Sequence, residues 1–249
     1  MTLTRAEPLT IYIGYDEREH DAYEVCRASL LEHASCPLHI VKLDQAALRR
    51  AGWYRRQWRQ EGKDRIDMGD LKPFSTDFAF TRFLVPALSL YQGWALFCDC
   101  DFLFTGDVAK LFEFADNRYA VMCVKHEHEG DEGTKMGGVT QGRYYRKNWS
   151  SLVLWNCGHS ATEMLSGYIV NEWGGRWLHA FSWLGDDQIG ALPHEWNWLA
   201  GVDPMYWETP KGVHFTLGTP NIPGCEATPY AALWRAARES ILATKDKAA

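Results

Sequence analysis

The chain has 249 residues, enough for one large domain or two small ones around a substantial core. A hydrophobic fraction of 46% with 14% aromatic residues excludes a disordered chain, and a formal net charge of −6 argues against charge-driven nucleic-acid binding. Twelve tryptophans mildly favour a sugar or nucleotide partner, whose flat faces suit stacking on indoles.

The seven cysteines are scattered, odd in number and mostly set in apolar segments, so they read as reduced structural thiols of a cytoplasmic protein. No segment has the pattern of a secretion signal, and no run approaches the length of a membrane span. "LTIYIGY" (Leu9–Tyr15) reads as a short buried strand. Asp16 stands where an N-cap would, and Ala22, Val25, Cys26, Ser29 and Leu30 recur at helical spacing behind it. "LHIVKL" (Leu38–Leu43) is a second strand, which completes a βαβ unit of a parallel sheet. Asp44 to Phe74 is irregular, a mixture of short helix and loop. Ser75–Leu90 is expected to be helical, with Pro86 distorting it locally.

"WALFCD" is the next strand, "VAKLFEF" a short helix, and "YAVMCVKH" and "SSLVLWNC" are further strands. Between these last two lies a polar stretch, residues 127–148, with five glycines; a loop of this length is read as a mobile flap over a ligand or an ordinary exposed insertion. With no repeat and no linker, the expectation is a single α/β domain over residues 1–249, with a C-terminal helix over 229–249. That helix ends basic and amphipathic; packing on the protein surface is the main reading and peripheral membrane attachment the other.

In "ALFCDCDFLF" two aspartates interrupt an apolar run. Strand alternation would turn Cys98 and Cys100 to one face and Asp99 and Asp101 to the other, so a thiolate metal site is not expected. Two neighbouring carboxylates repel unless they share a proton or a cation; Mg²⁺ or Mn²⁺ meets that need and recruits phosphate oxygens. Capping turns or pairing with arginines is the competing reading. The pair sits at the C-terminal end of a strand in an α/β sheet, where such folds bind ligands.

Ordered along the chain, "IYIGYDERE", "TRFLVPALSLYQGWALFCDCDFLF", "WSSLVLWNC", "GDDQIGAL", "WNWL" and "VHFTLG" resemble the motifs of retaining nucleotide-sugar glycosyltransferases of family 8, the group of glycogenin and bacterial lipopolysaccharide hexosyltransferases. The resemblance spans Ile11 to about Gly218. It implies a GT-A fold, a Rossmann-like α/β domain with a mainly parallel central sheet. It also implies a UDP-sugar donor and a metal, Mn²⁺ with Mg²⁺ as the alternative, held by Asp99, Asp101 and His214. Ile13, Gly14, Tyr15 and Asp16 would hold the uridine, and Arg82, Cys100, Ser151 and Gly218 would belong to the donor site. Asp187 and Gln188 would stand near the anomeric carbon, and Asn197 would order the acceptor pocket. Residues 9–126 would then be the nucleotide- and metal-binding half and 149–228 the donor-sugar and acceptor half.

Residue by residue, simpler roles compete. His214 could be a hydrogen-bonded core histidine, Arg82 could snorkel or pair with Asp77, Asp187 could be an N-cap, and Asn197 could sit in a turn between two indoles. Two departures from the family pattern also stand out. The lysine that comes after the histidine motif and contacts the diphosphate is missing from "TPNIPGC", which leaves that charge to the metal, Arg82, amides around Gly218 or a basic residue of the flap. The family's Asn-Ala-Gly is Ser150-Ser151-Leu152 here, so the donor sugar is open. The expected activity is hexosyl transfer to a glycan, lipid-linked or protein acceptor. A nucleotidyltransferase and a sugar-nucleotide-binding protein without turnover are the alternatives.

Overall fold

The computed structural model describes residues 7–127, 133–135, 139–141, 146–204 and 208–248. Strand β1 (Leu9–Tyr15) has the predicted bounds, with Ile11 and Ile13 fully buried. Asp16 caps a 3-10 turn, Glu17–Glu19, by accepting the Arg18 amide. The helix His20–His33 comes next and buries the predicted face, Ala22, Val25, Cys26, Ser29 and Leu30 among it. β2 (Leu38–Asp44) then runs parallel to β1, from Leu9 beside Leu38 to Tyr15 beside Asp44, which completes the βαβ unit.

The stretch read as helix and loop departs from expectation. After the helix Gln45–Arg50, the chain forms an antiparallel meander of β3 (Trp58–Glu61), β4 (Asp64–Asp67) and β5 (Pro73–Phe74). One arginine fastens it to the body. Arg56 is bidentate on Asp67 at 2.9 and 2.6 Å, donates to the carbonyls of Val170 and Trp173, and lies 3.9 Å over the Phe80 ring.

The expected Ser75–Leu90 helix shrinks to a 3-10 turn, Thr81–Leu84, and one helical turn, Val85–Leu88. Residues 78–87 are all buried, so packing on every side, not an amphipathic period, sets their backbone. Pro86 falls in the first turn of that short helix, where its missing N–H leaves nothing unpaired, and so it starts the element instead of distorting it.

β6 (Trp94–Cys98) pairs parallel with β1. β7 (Phe102–Phe104) leaves the main sheet, and β8 (Val121–Cys123) returns to it. The backbones of β9 (Gly133–Lys135) and β10 (Val139–Gln141) pair antiparallel; the rest of the expected flap, 128–132, 136–138 and 142–145, lies outside the described residues. β11 (Leu152–Asn156) runs antiparallel between β6 and β8, and β12 (Ile189–Ala191) lies parallel to β8. The sheet order is β12-β8-β11-β6-β1-β2, parallel except for β11.

β13 (Trp198–Leu199), β14 (Gly212–His214) and β7 form a second small sheet, with Phe102 opposite His214. Gly212 permits it, since a Cβ there would stand 2.3 Å from the Trp196 carbonyl oxygen. The C-terminal helix Ala231–Ala248 packs on the protein: Trp234 is buried with Val25, Leu103, Val213 and Phe215, and Arg238 pairs with Asp21 at 2.7 Å. Among the described residues, no helix is long and apolar enough to cross a membrane.

Candidate active site

β6 ends at Cys98, so Asp99 and Asp101 sit in the turn toward β7 and not on a strand. The turn, not strand pleating, brings the carboxylates together. It is held by the Asp99 amide donating to the Ser151 carbonyl and the Phe215 amide donating to the Asp101 carbonyl, both at 2.9 Å. The thiols go elsewhere. Cys98 faces Cys26 at 3.9 Å, and Cys100 donates to Glu19 Oε2 at 3.0 Å. Burial pushes the Cys26 and Cys100 thiols well up, as inert structural thiols require. All seven cysteines are free, five of them buried.

His214, at the end of β14, is fully buried and stacks on Phe102, with ring centroids 4.5 Å apart. Its Nδ1 meets Asn197 Oδ1 at 2.9 Å, while Asn197 Nδ2 donates to Ser151 Oγ at 3.0 Å and Ser151 Oγ donates to the Asn148 carbonyl. That chain fixes the amide so that its oxygen faces the imidazole. Nδ1 therefore carries a proton, and Nε2 is the ring nitrogen left for a metal ion. The buried Nε2 lies 3.3 Å from Asp101 Oδ1.

One ligand atom from each of Asp99, Asp101 and His214 lies within 4.8 Å of the others. Carboxylates crowded in this way are reconciled by a shared cation, and two carboxylates with one imidazole suit Mn²⁺, then Mg²⁺. The donor set fits the ion.

Arg82 neither snorkels nor pairs with Asp77, which Arg65 takes at 2.5 Å. Its Nη1 stands 2.8 Å from both Asp99 Oδ1 and the Ser150 carbonyl, and Nε donates to Phe78 O. It holds Asp99 in place. Asn197, expected at an acceptor pocket, is instead fully buried behind His214.

Beside this group opens a cavity of about 500 Å³. Glu19, Arg82, Asp99 and Asp101 line one part, Ser150, Ser151 and His179 another, and Thr216, Gly218, Thr219 and Ile222 a third. The meander contributes Asp70, Lys72 and Phe74, and the segment after it Ser75, Thr76 and Phe78. Gly175 and Arg176 complete that wall. Asp70 is occupied by the amides of Lys72 and Gly175.

Glu19 was not foreseen. Burial, then the charge of Asp101, pushes its carboxyl up to about 8 despite the Cys100 hydrogen bond. It lies within the motif IYIGYDERE, but nothing in that motif marks it as a cavity residue. Burial, then Arg82 and Arg56, holds His179 well below the usual histidine range, and its Nδ1 meets Ser150 Oγ at 2.7 Å. Lys72, Arg176 and His179 carried no sequence signal.

Several expected residues lie outside the cavity lining. Gly14 is covered by Phe78, whose ring a Cβ would meet at 2.5 Å, and Ile13 is core. Tyr15 packs edge-on to Tyr23 beneath the Lys42 ammonium. Asp16 is buried and taken by Arg18 and the Asp77 amide. Cys100 is buried against Glu19. Asp187 is exposed, and Gln188 closes its 3-10 turn by accepting the Gly185 amide at 3.1 Å. Gly218 does line the cavity, but its amide donates to Phe215 O, so it offers no anion site.

No family model matches the chain. It is 44% identical over 232 residues to Protein CDI of Arabidopsis thaliana, across 92% of this chain and 85% of that protein. The chain belongs to the family of Protein CDI. Among solved structures it resembles the glycosyltransferase GlyE of Streptococcus pneumoniae TIGR4, with a TM-score of 0.59 and 15% identity over 93% of this chain. It also resembles the galactosyltransferase LgtC bound to donor and acceptor sugar analogues, with a TM-score of 0.55 and 11% identity over 93% of this chain and 96% of that one. A third likeness is the bifunctional glycosyltransferase WbbM, with a TM-score of 0.57 and 12% identity. The chain spans 60% of GlyE and 53% of WbbM. This member of the Protein CDI family therefore has the GT-A glycosyltransferase fold.

Proposed function

We propose that the protein is a metal-dependent glycosyltransferase that moves a hexose from a UDP-sugar to a glycan, lipid-linked or protein acceptor with retention of anomeric configuration. The observation that carries this reading is the Asp99, Asp101 and His214 group beside a cavity of about 500 Å³, at the C-terminal end of β6 in a GT-A fold. LgtC, of the same fold, was solved with donor and acceptor sugar analogues, which supports a donor of this class here.

Asp99, Asp101 and His214 would hold Mn²⁺, or Mg²⁺ in its place, which when bound neutralises charge on the departing diphosphate, an effect worth several kcal/mol. Arg82 keeps Asp99 aimed at that position, and Asn197 keeps His214 Nε2 aimed there. Arg82 is already engaged, so the charge of the absent lysine falls to Lys72 and Arg176, the other arginine and lysine of the cavity wall. Asp70 is taken by two amides and Glu19 by the Cys100 thiol, so this reading has the acceptor hydroxyl attacking from the face the diphosphate leaves, without an enzyme-bound sugar. A part for Asp187 and Gln188 at the anomeric carbon requires the Gly185–Gln188 turn to swing toward the cavity when donor binds.

Release of UDP from a panel of UDP-hexoses, with Mn²⁺ and with chelator, tests the reading. Mn²⁺-dependent release that Asp99→Asn reduces by roughly 10²–10³ supports transfer. UDP binding without release would leave a binding protein, and neither binding nor release rejects the proposal.

A further inference from the structure

A second group of ligating side chains lies away from the cavity lining. His126 comes after β8, His194 opens a 3-10 turn behind β12, and Asp203 comes after β13. Because β8 and β12 are parallel neighbours, the two histidines leave the main sheet side by side, with ring centroids 5.2 Å apart at 79°. The small sheet brings Asp203 to them: His194 Nε2 lies 2.8 Å from Asp203 Oδ2. One ligand atom from each of the three lies within 4.8 Å of the others.

The three are held on braced supports. Asp203 Oδ2 also accepts the Leu199 amide at 2.7 Å, and the His194 ring packs edge-on to Trp198. The His126 carbonyl accepts the Trp149 indole N–H at 3.0 Å. His126 is buried, while the His194 side chain is about half exposed at 49%, so one side of the group opens to solvent.

His126 faces the same carboxylate as His194, so the three side chains form one group around Asp203. The convergence of three donors from three separate elements is what a metal requires. Around Zn²⁺, ligand atoms at about 2.0–2.1 Å are about 3.3 Å apart, which small side-chain rotations reach from the separations here. Two imidazoles and one carboxylate favour a borderline ion, whereas the two carboxylates and one imidazole at Asp99, Asp101 and His214 favour a harder one.

We propose that His126, His194 and Asp203 bind a Zn²⁺-class divalent ion at a second site, tying the end of β8 to the segments behind β12 and β13, with a fourth position left to water. The claim is independent of glycosyl transfer. The experiment titrates the full chain carrying Asp101→Asn with Zn²⁺, and with Co²⁺ for its visible ligand-field bands. One bound ion per chain is expected to remain, and adding His126→Ala or Asp203→Asn is expected to weaken it by more than the roughly 100-fold of an indirect partner. His126→Asn replaces His126→Ala should the latter not fold, as judged by circular dichroism. The proposal is overturned if Asp101→Asn alone abolishes Zn²⁺ binding, or if binding survives the His126 substitution unchanged.

Discussion

Replacing Asn197 with leucine separates a metal-binding His214 from a merely buried one. Leucine has a similar volume but no acceptor, so it removes the oxygen 2.9 Å from His214 Nδ1 and the donor 3.0 Å from Ser151 Oγ. Both Asn197 and His214 are fully buried, so the Nδ1 proton is left without a partner at a cost of about 1–3 kcal/mol. The imidazole can relieve that cost by rotating or by moving its proton to Nε2, and either change withdraws Nε2 from the metal position. Loss of such an orienting partner typically weakens a metal site by about 10–100-fold. Calorimetric titration of Mn²⁺ in the presence of UDP should show that weakening in Asn197→Leu, while Asn197→Asp, which keeps an acceptor for Nδ1, should recover most of the affinity. A folded Asn197→Leu variant with Mn²⁺ affinity within about twofold of the parent would refute the orienting role.

Arg56→Met breaks a pair whose side chains are both 2% exposed and leaves the Asp67 carboxylate to the Gly69 and Asp70 amides alone, which should cost about 3–5 kcal/mol. A thermal melt should fall by about 6–20 °C for a domain of this size, and a melt unchanged from the parent would refute the fastening role of the pair. At Asp16, burial pushes the carboxyl up, but the Arg18 hydrogen bond and charge and the Asp77 amide together outweigh it and hold it below the usual carboxylate range. Its stabilisation is therefore whole above its unfolded value of about 3.9 and is lost as pH falls through the lower folded value. Denaturant titrations should show the gap between parent and Asp16→Asn full at neutral pH and closing below about pH 4. Lys72→Ala and Arg176→Ala should each raise the KM for the UDP-sugar roughly tenfold with little change in kcat, as for uniform binding of a ground-state anion; an unchanged KM would remove them from the diphosphate site.

Sequence legibility tracks where the physics is local. β1 carries its bounds in an apolar run, and the next helix shows its buried face because one side meets the sheet and the other meets solvent. Asp99, Asp101 and His214 could be grouped from motif order, although 113 positions separate Asp101 from His214. The β3 strand was not legible because all four of its residues are exposed, so no alternation marks it. Residues 78–87 misled in the opposite way: an all-buried run has no period to distinguish helix from packed turn. Arg82 was legible as a site residue, but its choice of Asp99 over Asp77 depends on a tertiary competition in which Arg65 occupies Asp77. Asn197 read as an acceptor residue because its neighbours are tryptophans; its contact with His214 exists only once β13 and β14 pair.

Under the proposed function, donor cleavage depends on an ion held by Asp99, Asp101 and His214. The most direct measurement is the rate of UDP release from the best UDP-hexose, as a function of Mn²⁺, for the parent and for His214→Ala. Saturable Mn²⁺-dependent release by the parent, lowered by roughly 10²–10³ in a folded His214→Ala variant, is the predicted result. Release that is indifferent to chelator, or equal in parent and variant at every Mn²⁺ concentration, would contradict it.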